Sequence, residues 1–252
     1  MALDLTADDV SHSYNGQPAL EGVSVHVPPG TVTALIGESG SGKTTLLRCF
    51  NRLVEPDQGR VRIGGLDVRQ ENPEALRRRL GYVPQHGGLL PHWTVRRNVS
   101  LVPRLSNHAS PDESADDALT RVGLPPRQFG DRLPHELSGG QRQRVALARA
   151  FAARQDVVLM DEPFGALDAI SRAEAHAAFE KVRTELGFTA LLVTHDLAEA
   201  ARLADILVVL RNGRIEQAGT ARELQHSPGT PYVRALFEQA RAAHAALSAG
   251  DS

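Results

Sequence analysis

A glycine-rich octapeptide constrains this chain more than any other feature of its sequence. Gly37–Thr44 reads GESGSGKT and stands between an apolar, β-branched run, Thr31–Ile36, and a helical pattern that begins at Lys43. Glycines let backbone N–H groups turn toward an anion without Cβ clashes, and the start of the following helix adds positive potential. The pattern G-x-x-x-x-G-K-[ST] between a strand and a helix therefore predicts a loop that binds nucleotide phosphates.

The side chains that close this loop have predicted roles. Lys43 is expected to reach the β- and γ-phosphates, and the Thr44 hydroxyl to ligate Mg²⁺. The loop alone does not distinguish kinases, GTPases and motor ATPases, which share it. The full set of residues predicted to contact the nucleotide here is Gly37, Glu38, Ser39, Gly40, Ser41, Gly42, Lys43, Thr44 and Thr45.

The hydrophobic pattern predicts an α/β fold, and the glycine-rich loop indicates that the fold is of the P-loop type. Short apolar runs at Val157–Met160, Ala190–Val193 and Ile206–Leu210 are typical of buried parallel strands, with helical segments between them. The N-terminal region, Leu3–Tyr14 and Val23–Val27, alternates in the manner of an antiparallel sheet. We therefore expect a mostly parallel core sheet and an N-terminal antiparallel β subdomain within residues 1–226.

The middle of the chain has a different composition. From His86 to Leu137 it is rich in proline and histidine and shows no convincing strand. We expect a helical subdomain at about 86–150, inserted into the α/β core, with Ser110 capping one of its helices. Residues 227–252 are expected to form a short helical tail, without appended cystathionine-β-synthase (CBS) domains.

Two adjacent acids end one of the predicted strands. Asp161 and Glu162 follow Val157–Met160, and a carboxylate at this end of a parallel strand lies where P-loop enzymes hold their metal. Asp161 is the candidate Mg²⁺ ligand, and Glu162 is the candidate base that polarises the attacking water. A competing strand ends in His195-Asp196, but it lacks adjacent acids and ranks lower.

A second anion site is predicted at another helix start. Ser138-Gly139-Gly140-Gln141 opens an Ala- and Arg-rich helix and offers free N–H groups and a hydroxyl. An ordinary N-cap is the alternative reading. Two phosphate-binding helix starts in one chain suggest a composite site that a second copy completes. The arginines of this helix are interpreted as a solvated face, at Arg142, Arg144, Arg149 and Arg154.

Leu137–Gln141 resembles the signature motif of ATP-binding-cassette (ABC) proteins, and other positions match that family one by one. Tyr14 is similar to the aromatic residue that stacks on adenine, and Gln85 to the glutamine that senses Mg²⁺ and the water. Asp168, in Ala166–Asp168, resembles the D-loop aspartate, and His195 resembles the switch histidine at the γ-phosphate. The resemblance implies a head-to-tail dimer of cassettes that binds ATP and Mg²⁺ between the two copies, with Glu162, His195 and Gln85 as the catalytic set.

Composition narrows the class of partner. The chain has 252 residues, a formal net charge of -2 and one cysteine, Cys49, which we interpret as a small buried residue. The sequence shows no cluster of basic residues that would indicate a nucleic-acid-binding surface. No apolar run approaches the roughly 20 residues that a membrane helix needs. Without coiled coils, a second cassette or fused membrane helices, the chain resembles an importer subunit. This implies integral membrane permease partners, an indirect solute-binding protein and a peripheral place on the cytoplasmic face of a bacterial membrane.

The cargo is inferred only from resemblance. Asn51–Pro56, Arg77–Val83 and Gln85–His92 resemble the importer ATPases for quaternary-amine osmoprotectants such as glycine betaine, carnitine and choline. Many of those relatives append CBS domains, so osmotic gating is in doubt here. Polar amino acids, sulfonates or phosphonates are alternative cargoes, and a soluble ATPase of an assembly system is the alternative function. The run Asp161–Asp168, DEPFGALD, favours the importers.

Overall fold

The computed structural model describes residues 2–249, with side chains as far as residue 242. The strands are β1 (Leu5–Tyr14), β2 (Gln17–Val27), β3 (Val32–Ile36), β4 (Gln58–Ile63), β5 (Leu66–Asp67), β6 (Leu80–Val83), β7 (Val157–Asp161), β8 (Thr189–Val193), β9 (Ile206–Arg211) and β10 (Arg214–Gly219). The helices are α1 (Lys43–Phe50), α2 (Pro73–Arg78), α3 (Val95–Val99), α4 (Leu101–Leu105), α5 (Pro111–Arg121), α6 (Pro126–Phe129), α7 (Gly139–Phe151), α8 (Ala169–Leu186), α9 (Leu197–Leu203), α10 (Ala221–His226) and α11 (Pro231–Ala249).

The central sheet has six strands in the order β10-β9-β3-β8-β7-β6. All neighbouring pairs are parallel except β9 and β10, which form an antiparallel hairpin. Strands β3, β7 and β8 are buried at every position, because helices cover both faces of the sheet. The predicted mostly parallel core sheet is confirmed.

The N-terminal strands form a separate antiparallel sheet in the order β2-β1-β4-β5. Asn15 and Gly16 both have positive φ, 50° and 80°, which is the turn geometry that matches the twist of a two-residue hairpin between β1 and β2. The predicted antiparallel N-terminal region is therefore confirmed, with β4 added from later in the chain.

Two apolar clusters lie on opposite faces of the central sheet. Successive strand residues alternate between them: Ile36 and Met160 belong to one, and Leu35 and Leu159 to the other. Helix α1 packs on the second face through Leu46 and other buried residues. The face opposite α1 is covered by helices of the middle region and by α8, α9 and the first turns of α11, so these elements share one core.

The segment between β6 and β7 contains α3 to α7 and no strand, as its composition predicted. Val99, Leu119 and Val145 are fully buried there. The predicted Ser110 cap is wrong in one respect: α5 begins at Pro111, but the Ser110 side chain makes no capping hydrogen bond, and only its backbone carbonyl accepts, from Ser114. Its ψ of 75° is unlike that of the serine at the start of α7 (ψ 166°), whose hydroxyl does cap.

The helix ends follow from local sequence. Gly187 has φ 63° and ends α8, because glycine accepts the left-handed conformation at no steric cost. Thr220 and Glu223 form a capping box at the start of α10. Val233 and Phe237 of α11 are buried against the core. Within residues 2–249, no helix is long and apolar enough to span a bilayer.

Candidate active site

The glycine-rich loop joins β3 to α1 and is held from behind by the turn between β9 and β10. The N–H of Gly213 donates to the carbonyl of Ser41 at 3.1 Å. A Cβ on Gly37 would lie 2.1 Å from the carbonyl oxygen of Leu210, and one on Gly42 would lie 2.5 Å from that of Ala19. These two glycines are therefore needed for the close approach of the loop to its neighbours.

Lys43 lies inside this loop. Its residue exposure is 5%, and Nζ donates to the carbonyl oxygens of Gly37 at 2.8 Å and Glu38 at 2.7 Å. Burial lowers the pKa of the Lys43 ammonium, and the carboxylates of Glu162 and Asp161 raise it in part. The Lys43 ammonium is thus hydrogen-bonded to backbone carbonyls of the loop. A bound phosphate can replace those carbonyls as the acceptor.

Thr44 and Asp161 meet across the sheet edge. Thr44 Oγ1 donates to Asp161 Oδ1 at 2.8 Å, and Asp161 is 1% exposed at the end of β7. A guanidinium nitrogen of Arg48 lies 3.6 Å from Asp161 Oδ2. A hydroxyl and a carboxylate are hard oxygen donors, so the pair fits Mg²⁺ that also takes phosphate and water oxygens. Among the described residues no group of three or more His, Cys, Asp or Glu side chains could form an all-protein metal cage.

Glu162 collects two polar side chains from neighbouring strand ends. Gln85 Nε2 donates to Glu162 Oε2 at 3.2 Å, and His195 Nδ1 lies 3.3 Å from the same oxygen. The Glu162 N–H donates to the carbonyl of Val193 at 2.9 Å, which fixes the backbone after β7. The sheet topology brings these groups together because β6, β7 and β8 are adjacent and parallel.

The backbone of Glu162 is in an uncommon conformation. Its φ is 46°, in the left-handed region that residues with a Cβ seldom occupy. Such strain persists only where the surroundings over-determine it, and it occurs often at functional positions. Here the turn aims the Glu162 side chain toward Gln85 and His195, away from the buried course of β7.

The second predicted anion site lies on another surface. Ser138 and Gln141 form a capping box at the start of α7, with Gln141 N–H to Ser138 Oγ at 3.2 Å. A Cβ on Gly140 would lie 2.7 Å from Ser171 Cβ, so α7 approaches α8 closely there. Asp168 caps α8 by accepting from Ser171 N–H, which holds the pKa of its carboxyl below its usual range. Gly139 and Gly140 therefore pack beside the start of α8, not against Gly37–Thr44.

Tyr14 lies at the exposed end of β1, with 44% of the residue accessible. Its ring packs edge-to-face on His12, with centroids 4.6 Å apart. The β1–β2 hairpin that carries it continues to Ala19, whose carbonyl faces Gly42. The position is compatible with an aromatic platform beside the glycine-rich loop.

A family model described as "ABC transporter" matches residues 20–165, more than half of the chain. The chain belongs to the ABC transporter family. The matched range includes the glycine-rich loop, the α7 start and the Asp161–Glu162 pair, and the prediction from the sequence motifs is confirmed.

Curated relatives of this cassette agree with that assignment. A carnitine transport ATP-binding protein, OpuCA of Listeria monocytogenes, is 42% identical over 91% of this chain and 58% of its own length. The glycine betaine uptake system ATP-binding protein YehX of Escherichia coli is 42% identical over 90% of this chain and 74% of its own length. A sulfate/thiosulfate import ATP-binding protein, CysA of Synechocystis, is 43% identical over 92% and 64%. The chain thus spans about three fifths of the length of several of these relatives.

Solved structures support the fold of the cassette. The dimeric structure of MJ0796, a bacterial ABC transporter cassette, matches with a TM-score of 0.77 and 30% identity over 86% of this chain and 98% of that one. A dimeric post-hydrolysis state of the same ATP-binding cassette, bound to ADP and Pi, matches with a TM-score of 0.76 and 29% identity over the same fractions. The predicted cassette fold is confirmed.

The prediction for one arginine of this cassette is wrong. Arg149 was predicted to lie on a solvated helix face, but it is 9% exposed, and its guanidinium donates to the carbonyls of Gly87 and Gly88 at 2.6 and 2.7 Å. Burial lowers its pKa. It thereby fixes the segment that follows Gln85, and the spacing of arginines along α7 alone could not indicate this.

Two further residues were missed. Arg48 faces Asp161, as described above, and could have been found from its place one turn after Thr44 on α1. Tyr232, at the start of α11, packs under the guanidinium of Arg211 at 4.6 Å. Burial raises the pKa of its phenol, and the nearby backbone N–H of Glu38 lowers it in part, although no described group meets full hydrogen-bond geometry with the hydroxyl.

Proposed function

We propose that this chain is the ATP-binding and ATP-hydrolysing subunit of an ABC importer. One observation carries the proposal: Gln85, Glu162 and His195 converge at the sheet edge where Thr44 meets Asp161. Lys43 lies inside the adjoining loop. These groups together form a phosphate cradle, a metal-binding pair and a hydrogen-bonded carboxylate.

The residues of this site divide the work of hydrolysis. The loop N–H groups and Lys43 bind the β- and γ-phosphates and hold them in line with the attacking water. Glu162, oriented by Gln85 and His195, accepts a proton from that water, and His195 faces the γ-phosphate as the charge develops. Thr44 and Asp161, joined by Gln85, would hold Mg²⁺, which neutralises phosphate charge when bound.

The start of α7 is proposed to complete the site of a second copy. Within one chain Gly139 and Gly140 pack beside the start of α8 and not against Gly37–Thr44. A head-to-tail dimer would bring Ser138–Gln141 of one copy onto the ATP of the other. The dimeric form of the similar cassette MJ0796 supports this arrangement.

A permease partner is proposed to dock next to the segment Gln85–His92. This segment is preformed: buried Asn98 accepts from Leu90 N–H at 2.7 Å and donates to the Leu90 carbonyl. Beside it, a mainly apolar cleft of about 340 Å³ is lined by Leu53, Tyr82 and Leu101 among others. A short amphipathic helix of a membrane protein would fit such a cleft.

Quaternary-amine osmoprotectants are the proposed cargo. The chain itself is proposed to bind at the cytoplasmic face of the cell membrane. Support comes from relatives named for carnitine and glycine betaine transport. The sulfate/thiosulfate relative, at 43% identity, favours a second candidate, an oxyanion importer. The cassette does not contact cargo in either case, so the permease lineage decides between them.

The test is uptake in cells that lack this gene, complemented by the wild-type chain or by Glu162→Gln. Radiolabelled glycine betaine, choline, sulfate and glutamine serve as probes. We expect betaine and choline uptake to return only with the wild-type chain. If only sulfate uptake is restored, the chain belongs to an oxyanion importer. Full restoration of uptake by Glu162→Gln would contradict hydrolysis at this site.

Partner docking is tested separately by Leu89→Glu/Leu90→Glu. We expect the double variant to lose co-purification with the permease and uptake, while ATP affinity stays unchanged. Co-purification and uptake at wild-type levels would rule this docking segment out. Because Leu89 packs partly on the core, thermal unfolding of the variant is the control.

A further inference from the structure

Helices α8 and α9 are joined by polar contacts along one face of α8. Arg172, His176, Glu180 and Arg183 are spaced by three or four residues, so they lie on the same side of the helix. Each contacts α9 or its flanking residues. The partners, in the same order, are Asp196, Glu199, Arg202, and the Leu203 carbonyl with Asp205.

The first contact joins the two loops that flank the site. One guanidinium nitrogen of Arg172 donates to the carbonyl of Leu167 at 3.1 Å, within the segment Ala166–Asp168. Another lies 3.5 Å from Asp196 Oδ2. Asp196 caps α9 through the N–H groups of Ala198 and Glu199, and it directly follows His195. A single side chain therefore connects the segment before α8 to the segment that carries His195.

The second contact is buried. His176 Nε2 lies within hydrogen-bonding distance of Glu199 Oε2, at 3.2 Å, and the two side chains are 6% and 3% exposed. Phe164, fully buried in the turn after Glu162, packs its ring against the His176 ring with centroids 4.6 Å apart. Removing one partner of a buried pair leaves the other unsatisfied, so this contact resists separation of α8 from α9.

We propose that α8 and α9 move as one body and that Arg172 and His176 are positioning residues for His195. The inference rests on the proposed function, in which Ser138–Gln141 faces a second copy. A Cβ on Gly139 would lie 3.9 Å from Leu167 Cδ2, so Ala166–Asp168 adjoins that surface. Closure of the dimer displaces the start of α8, and the buried His176–Glu199 pair carries that displacement to the start of α9. In the single chain His195 already lies 3.3 Å from Glu162, and docking of the second copy then sets the position of His195 relative to the γ-phosphate.

The chain offers a matched control for each variant. Arg202→Leu breaks the exposed Glu180 contact, at 3.1 Å, in the same helix pair but farther from His195 than the two tested contacts. Val61→Ala truncates a buried residue of β4 in the other sheet and serves as a reference for a general loss of stability. His176→Gln keeps a donor that can reach Glu199.

We expect His176→Leu and Arg172→Leu to lower kcat for ATP hydrolysis about tenfold or more, because a small misplacement of a catalytic group lowers the reaction rate strongly. The Kd for ATP should stay within about twofold, because neither residue contacts Gly37–Thr44. His176→Gln should recover most of the lost kcat, and Arg202→Leu should match the wild-type chain. The proposal would be overturned if His176→Leu and Arg172→Leu lost no more kcat than a Val61→Ala chain with the same Tm.

Hydrogen exchange gives a readout that does not depend on turnover. In a Glu162→Gln background, ATP with Mg²⁺ should slow exchange in both the first turns of α8 and in α9. His176→Leu should retain the slowing in α8 and lose it in α9, and equal slowing in α9 would contradict the coupling. If wild-type protein hydrolysed no ATP, the proposed function would fail instead, so the two failures are distinguishable. If His176→Leu does not fold, Arg172→Leu at the surface carries the same test.

Discussion

Two helix starts of this cassette are assigned to ATP, and they differ in what surrounds them. At the start of α1 the loop is packed against the turn between β9 and β10, Lys43 is buried, and Gly37 and Gly42 have no room for a side chain. At the start of α7, Ser138 is exposed and its hydroxyl is engaged only in a capping box within its own helix. One half of the site is preorganised by its own chain, and the other half is presented at the surface.

Under the proposed function, this difference predicts that the chain binds nucleotide alone and hydrolyses it only as a pair. A preorganised loop gives affinity without further ordering, because its backbone is already fixed. In the proposed dimer, the surface helix start contributes only when a second copy presents it, and hydrolysis is then conditional on assembly. Variants at the two helix starts should therefore separate affinity from turnover.

Lys43→Ala should have the largest effect. Loss of the only cation inside the loop should weaken ATP binding by roughly 100-fold or more, as expected for a buried, charge-assisted contact. The chain contains one other lysine, Lys181, which is exposed and 4.0 Å from Glu185. Lys181→Ala is the matched control and should bind as the wild-type chain does in a fluorescent-nucleotide titration. Similar affinity for the two variants would refute the assignment of the loop.

Ser138→Arg should have an intermediate effect of a different kind. A bulky cation at the start of α7 should lower hydrolysis roughly 10- to 100-fold, because it blocks the surface that a second copy must use. ATP affinity of the single chain should not change. Ser110→Arg, at the start of α5, is the control, since Ser110 makes no capping hydrogen bond with its side chain. Parallel loss of affinity and turnover in Ser138→Arg would mean that both helix starts serve one chain.

The smallest effect is expected in the labelling rate of Cys49, which reports on the rigidity of α1. Burial raises the pKa of its thiol to about 12, so at pH 8 the reactive thiolate is scarce in the folded chain. Labelling by iodoacetamide, followed by mass spectrometry, should be slow in native buffer, fast in denaturant and slower still with ATP and Mg²⁺, which stabilise the folded state. Native labelling as fast as in denaturant would show that the α1 half is not preorganised.

The sequence allowed much of the buried half to be predicted, because its residues are fixed by local rules. Glycines at tight approaches, a lysine before a helix and acids after an apolar strand each follow from short-range chemistry. Contacts made across the fold could not be predicted in this way. The burial of Arg149 depends on how α7 meets Gly87 and Gly88, and the His176–Glu199 pair depends on the angle between two helices. The Ser110 cap was predicted from residue type, whereas capping depends on the local ψ angle.

The division of the site between two copies is the central claim, and size-exclusion chromatography of Glu162→Gln tests it most directly. Without the base, ATP stays bound, so with ATP and Mg²⁺ the variant should elute as a dimer, and without nucleotide as a monomer. Adding Ser138→Arg to the same chain should return it to a monomer that still binds ATP. A Glu162→Gln/Ser138→Arg chain that still dimerises with ATP, or a Glu162→Gln chain that binds ATP tightly as a monomer, would contradict the account.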